Sequence, residues 1–160
     1  MSLNEIYTEL IRYHNKNPRN KKDIPNATIK ERGHNPSCGD DITLQIKTEG
    51  DIVVDAGFTG VGCAISQAST SMMIDLIKGK KIEEIDSVLD TFLGMIRKDI
   101  DDESKLSVLG DAVYLKNISN MPARVKCGVL PWHSLKLALE TGYARGHPLY
   151  APTHTRCRLP

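Results

Sequence analysis

Four side chains in this sequence have the chemistry to hold a metal ion or to carry sulfur: Cys38, Asp40, Cys63 and Cys127. They lie in three short segments, Asn35-Pro-Ser-Cys-Gly-Asp40, Gly60-Val-Gly-Cys-Ala64 and Arg124-Val-Lys-Cys-Gly128. Thiolate sulfur and carboxylate oxygen are ligand types for zinc and iron, and three thiolates with one carboxylate complete a tetrahedral shell. Each cysteine is adjacent to a glycine, which lets the backbone approach a common centre. Cys-Gly-Asp supplies two of the four ligands from one short loop. For any single cysteine, a buried small hydrophobe is the simpler reading. The joint pattern points instead to a metal or sulfur site, because fillers of a core sit inside periodic stripes and not beside glycines in loops. Disulfide pairing is the minor reading for a chain expected in a reducing cytoplasm.

Positioning four ligands from three segments requires a framework, and the apolar periodicity outlines one. Leu3, Ile6, Tyr7, Leu10 and Ile11 form the stripe of a helix running to about Asn15, with Ser2 or Asn4 as its cap. Asn15 to Asn26 reads as a solvated, mobile loop. Ile42, Leu44 and Ile46 alternate with polar residues, and after Glu49-Gly50 a second extended run covers Ile52 to Phe58, which together signal a hairpin. A first strand over Ala27 to Arg32 makes three.

Beyond Cys63, residues Ile65, Ala68, Met72, Met73, Leu76 and Ile77 repeat at helical spacing, with Ser66 as the cap and Lys78-Gly79 as the stop. The free N–H groups of that helix start lie near Cys63. Ile82 to Ile96 predicts a further helix, and Asp99 to Glu103 a solvated acidic turn. A last helix is expected from Pro131 to about Gly142, with Cys127 in its approach. Trp132, Met72 and Met73 read as core. The expectation is an α+β domain over residues 1–142, a three-stranded, mostly antiparallel sheet covered by about five helices. Residues 143–160 read as a flexible tail in which Cys157 and His154 are not designed ligands.

Composition narrows the function classes. The 160 residues carry a formal net charge of +1, too balanced for a protein whose main partner is a nucleic-acid backbone. No stretch approaches the ~20 apolar residues of a membrane span, and Met1-Ser-Leu-Asn-Glu-Ile-Tyr7 does not read as a signal segment. His34 and His133 flank the motifs, but three thiolates and Asp40 already fill a tetrahedral shell.

The segments Asn35-Pro-Ser-Cys-Gly-Asp-Asp41, Gly57 to Ser69 and Pro122 to His133 resemble the iron-sulfur cluster assembly proteins of the IscU family, in its SufU branch. The resemblance spans roughly residues 3 to 142. Scaffold members carry a histidine immediately before the third cysteine and a Leu-Pro-Pro-Val-Lys segment; here Lys126 and Met121-Pro-Ala-Arg-Val-Lys126 stand in those places. An extra segment at about Gly94 to Val113, and Arg124, resemble the SufU branch.

That resemblance implies an IscU-like fold and a zinc-dependent sulfurtransferase that takes persulfide sulfur from a PLP-dependent cysteine desulfurase of the SufS type, for a downstream cluster assembly complex. It implies Cys38 as sulfur acceptor and Cys38, Asp40, Cys63 and Cys127 as zinc ligands. A histidine of the desulfurase would replace the released thiolate on the metal. Arg124 is either a surface cation or a contact to the desulfurase. A scaffold assembling a [2Fe-2S] cluster on the same ligands is the alternative. A purely structural zinc site fits less well, because such a shell has no need of an aspartate.

Overall fold

The computed structural model describes residues 2–37 and 39–144 of the chain. Three antiparallel strands form a meander in the order β1-β2-β3, with β1 at Ile29–Asn35, β2 at Asp40–Glu49 and β3 at Ile52–Val61. The alternation expected of β2 turns Ile42, Leu44 and Ile46 into the core. Gly50 at φ +62 opens the two-residue turn to β3, a conformation that glycine adopts without strain. The first strand lies a little later than Ala27 to Arg32, because its ladder with β2 continues to the pair Asn35 and Asp40.

Five helices accompany the sheet: α1 (Leu3–Lys16), α2 (Ala64–Ile77), α3 (Ile82–Ile96), the single turn α4 (Glu103–Leu106) and α5 (Pro122–Ala144). A 3-10 segment, Ser107–Asn120, is broken at Gly110 and joins α4 to α5. Helix α1 starts on a capping box in which Ser2 and Glu5 satisfy each other's backbone N–H groups. Helix α5 packs on β1 and β2, α2 on β3, and α1 on the outer side of α2. Trp132 and Phe92 stack in the middle of the core, ring centroids 3.8 Å apart, and Met72 and Met73 are buried as expected.

Two expectations need correction. Helix α5 begins at Pro122 and not at Pro131, so Cys127 lies inside the helix, in its second turn, and Pro131 is an interior proline. Pro122 is the residue whose missing N–H costs nothing at a helix start. The stretch after Lys16, expected as a mobile loop, is pinned. The Asn20 carbonyl accepts the Phe58 N–H, Ile24 is only 4% exposed, and the Ile24 N–H donates to Gln45 Oε1 at 2.9 Å. The flexible tail expected over 143–160 falls, from residue 145 on, outside the described residues.

Candidate metal centre

The register of the hairpin brings the first two ligands together. Asp41 pairs with Val61, so Asp40, the first residue of β2, lies beside the chain leaving β3 toward Cys63. Asp40 Oδ1 accepts the Cys63 N–H at 2.8 Å and the Ser66 hydroxyl at 3.1 Å. These bonds orient a carboxylate that is 0% exposed. Gly62 is required between them: a Cβ there would sit 2.4 Å from Ser66 Oγ and 3.0 Å from Asp40 Oδ1. Asp41 points the other way, as its neighbour on a strand must. The Arg32 guanidinium grips it with Nε at 2.8 Å and Nη2 at 2.6 Å, and holds its carboxyl below the usual carboxylate range.

Cys63 is itself the N-cap of α2, and its Sγ accepts the Ser66 N–H at 3.4 Å. The sequence pointed to Ser66 as the cap. The observed arrangement puts sulfur in the acceptor position that serine or aspartate usually fills, with Ser66 three residues inside.

Cys127 is brought to this point by the packing of α5 on α2. Ser69 of α2 donates to the Gly128 carbonyl at 2.6 Å and accepts the Trp132 Nε1–H at 2.9 Å, so one hydroxyl ties two turns of α5. Gly128 permits a close approach of α5 to the 3-10 segment, since a Cβ there would be 2.1 Å from Ile118 Cδ1. Helix α5 therefore presents Cys127 inward, 6% exposed.

The outcome is that one carboxylate oxygen of Asp40 and the sulfurs of Cys63 and Cys127 all lie within 4.8 Å of one another. Ligands of a tetrahedral zinc ion stand about 3.8 Å apart when Zn–S is about 2.3 Å. The span is thus within a small side-chain adjustment of such a shell, and two thiols with a dry, hydrogen-bonded carboxylate match the donor chemistry zinc takes. Cys38 lies outside the described residues. Its turn joins β1 to β2, with Ser37 N–H bonded to Asn35 Oδ1 at 3.1 Å and Gly39 at φ +71.

The remaining candidates are placed as follows. His34 is exposed on β1 opposite Asp41, and His133 is half-buried on α5, where burial, then Lys136 and Arg97, lower its pKa. Neither belongs to the converging group. Arg124 is exposed in the first turn of α5, one turn before Cys127, and Lys126 is exposed beside that cysteine. Cys157 and His154 lie outside the described residues.

Nothing in the sequence signalled the part that three side chains play around the centre, although it offered Ser66 as a helix cap. Ser66 and Ser69 look like ordinary small helix residues, although Ser66 at three residues from Cys63 has capping spacing. Tyr7 was counted with the apolar stripe of α1. Its hydroxyl oxygen is buried and has no hydrogen-bond partner among the described residues, a situation that costs about 1–3 kcal/mol. Burial raises the pKa of that hydroxyl, Arg124 opposes the rise, and the Cys63 sulfur adds to it.

A three-stranded meander thus carries, at one end, a buried carboxylate and two thiols grouped as a candidate metal site. The family described as NifU-like N terminal domain matches residues 6–138, and the chain belongs to that family. The "Zinc-dependent sulfurtransferase SufU" of Bacillus subtilis is 46% identical to it over 145 residues, which cover 90% of this chain and 93% of the relative. The "Iron-sulfur cluster assembly scaffold protein IscU" of Thermotoga maritima is 41% identical over 140 residues, 88% of this chain and 96% of the relative. A crystal structure of a putative scaffold protein for the SUF system from Fervidobacterium islandicum aligns with a TM-score of 0.78 at 41% identity, covering 84% of this chain and 97% of that one. The α+β sheet and helices agree with that neighbour, as expected from the sequence. Among the described residues, no helix is long and apolar enough to cross a membrane.

Proposed function

We propose that this chain is a zinc-dependent acceptor of persulfide sulfur. It takes sulfur from a PLP-dependent cysteine desulfurase of the SufS type and hands it, in the cytoplasm, to a downstream cluster assembly complex. The observation that carries this reading is the convergence of Asp40, Cys63 and Cys127 within 4.8 Å, at the end of the sheet where the turn bearing Cys38 enters β2. The 46% identity to a relative named as a zinc-dependent sulfurtransferase supports it.

Cys38, Asp40, Cys63 and Cys127 are the residues that would hold zinc. Bound there, zinc supplies Lewis acidity that keeps thiolates deprotonated, and it brings no redox chemistry. The chain's own residues do the rest. Ser66 and the Cys63 N–H fix the Asp40 carboxylate, and burial of Asp40 and Cys127 keeps water from the inner side of the centre. Pro36, Ser37 and Gly39 are exposed, which leaves the turn open to a docking partner. The Cys38 thiolate attacks the outer sulfur of the desulfurase persulfide. A sulfur–sulfur bond forms at Cys38, the bond within the desulfurase persulfide breaks, and the desulfurase cysteine leaves as a thiolate. Arg124 is the contact for a carboxylate of the desulfurase.

The test is desulfurase turnover with and without the protein. Cys38→Ala should abolish stimulation while the protein remains folded, and unchanged stimulation would remove Cys38 from its role. A second reading, a scaffold for a [2Fe-2S] cluster, is favoured by the 41% identity to a relative named as a scaffold. Lys126 before Cys127, where scaffold members carry histidine, weighs against it. A stable coloured cluster after anaerobic iron and sulfide would decide for the scaffold.

A further inference from the structure

Ser66, fully buried three residues after the Cys63 cap of α2, bonds to two of the three grouped residues. Its N–H donates to Cys63 Sγ at 3.4 Å, and its hydroxyl lies 3.1 Å from Asp40 Oδ1. That hydroxyl has one proton and two acceptors in reach, the second being the Cys63 carbonyl at 3.0 Å. A hydrogen bond to an ionised group is about twice as strong as a neutral one. The Cys63 carbonyl, moreover, already accepts the Gln67 N–H at 3.1 Å. The Ser66 proton therefore goes to Asp40.

Oδ1 of Asp40 also accepts the Cys63 N–H at 2.8 Å. A carboxylate oxygen has two lone pairs, so these two donors saturate it. A cation could reach Oδ1 only by displacing one of them, at a carboxylate shielded from water. Asp40 is thus set to meet a cation through its other oxygen. The backbone makes room for this arrangement, because a Cβ on Gly62 would sit 2.4 Å from Ser66 Oγ. The chemical consequence is a choice of binding mode. A carboxylate that binds through both oxygens adds a coordination position, as it does around calcium, whereas one that binds through a single oxygen preserves the four-coordinate shell that zinc takes with thiolates.

We propose that Ser66 is a positioning residue for the metal: its hydroxyl, with the Cys63 N–H, saturates one oxygen of Asp40 and holds the carboxylate to binding through a single oxygen. This rests on the zinc centre of the function proposed above.

The experiment compares the full-length protein with Ser66→Ala and Thr70→Ala. Alanine is favourable inside a helix, and in Ser66→Ala the Cys63 carbonyl keeps the Gln67 N–H while Oδ1 keeps the Cys63 N–H. Thr70→Ala removes a buried hydroxyl one turn further along α2, which bonds the Ser66 carbonyl at 2.7 Å, and serves as the control for a loosened helix. Each protein is stripped of metal, checked for folding, and titrated with cobalt(II) and, against a chromophoric chelator, with zinc. The wild type and Thr70→Ala should show the intense visible bands of four-coordinate cobalt. Ser66→Ala should show the weaker bands of a five-coordinate ion, with zinc affinity lowered roughly tenfold. The same cobalt spectrum in Ser66→Ala as in the wild type overturns the proposal, whatever the zinc affinity. A spectral change of the same kind in Thr70→Ala, or a Ser66→Ala chain that no longer folds, also overturns it, since the hydroxyl would then be structural. A wild-type chain that takes up neither ion overturns the zinc reading itself, and the proposal with it.

Discussion

Helix α2 has a polar cluster at each end, and the two differ in how their hydrogen bonds close. In its C-terminal half, His14 Nδ1 pairs with Ser71 Oγ at 2.8 Å. Asn20 Nδ2 reaches Ser71 O, Ser71 Oγ and Asp75 Oδ1, and Asn20 Oδ1 accepts from Lys78. Arg19 completes the set on Asp75. Donors and acceptors there are matched, so the cluster fastens α1 and the segment after it to α2 and leaves nothing to offer a ligand. At the N-terminal end, Asp40, Cys63 and Cys127 gather ligand-type atoms within 4.8 Å, and the Tyr7 hydroxyl has no hydrogen-bond partner among the described residues. His14, Asn20 and Ser71 at one end and Asp40 and Cys127 at the other are buried. Pairing within the chain accounts for the first cluster, and the gathering of ligand-type atoms marks the second as the candidate site.

The contrast can be broken most forcefully at Asp40. Asp40→Ala removes a candidate ligand and leaves the Cys63 N–H without its acceptor, at about 1–3 kcal/mol, while the Ser66 hydroxyl keeps the Cys63 carbonyl at 3.0 Å. Zinc in the purified protein should fall from about one per chain to near zero, as read by elemental analysis. Retained zinc would mean that the centre does not depend on this carboxylate.

A smaller effect of the opposite kind is expected at the balanced end. Asn20→Ala should cost about 2 kcal/mol and lower the melting temperature by about 4–8 °C, while zinc per folded chain stays unchanged. Loss of zinc in that variant would erase the distinction between the two clusters.

The smallest effect is in pH. Burial pushes the pKa of His14 below the ordinary imidazole value, with Asp75 opposing in part. Below about pH 6.5 the unfolded chain therefore binds more protons than the native one, and stability falls as pH drops through that window toward the folded pKa. His133 is lowered in the same direction, chiefly by burial, and Asp86, raised by burial and by Asp90 and Glu140, acts in the opposite sense. The comparison is thus between wild type and His14→Gln: melting temperature should decline less in the variant between about pH 7.5 and about pH 5.5.

The parts of the fold that were legible in the sequence are those governed by a single period. Alternation at Ile42, Leu44 and Ile46 marked β2, and the stripes of α2 and α3 marked two helices close to their observed ends. The start of α5 was hidden because Ala123 to Leu130 includes Arg124, Lys126 and Gly128, which serve the surface, the solvent beside the centre and the contact to Ile118, so no apolar stripe emerges. Ile24 was hidden as the one buried apolar residue in a polar stretch. The ligand types were legible from chemistry alone. The reason for each glycine was not: Gly39 has a positive φ, whereas Gly62 and Gly128 leave room for Ser66 and Ile118. Tyr7 looked apolar because a stripe records the ring and says nothing of its oxygen.

Pro131 stands four residues after Cys127 and has no N–H to return to the Cys127 carbonyl, so the helical turn at that cysteine is weakly joined to the rest of α5. The next carbonyl, that of Gly128, is held instead by Ser69 of α2, the helix that Cys63 caps. Both sulfurs therefore share α2 as their frame of reference. Because Ser69 also accepts the Trp132 Nε1–H from beyond Pro131, a single hydroxyl pins both sides of the missing helical bond to that frame.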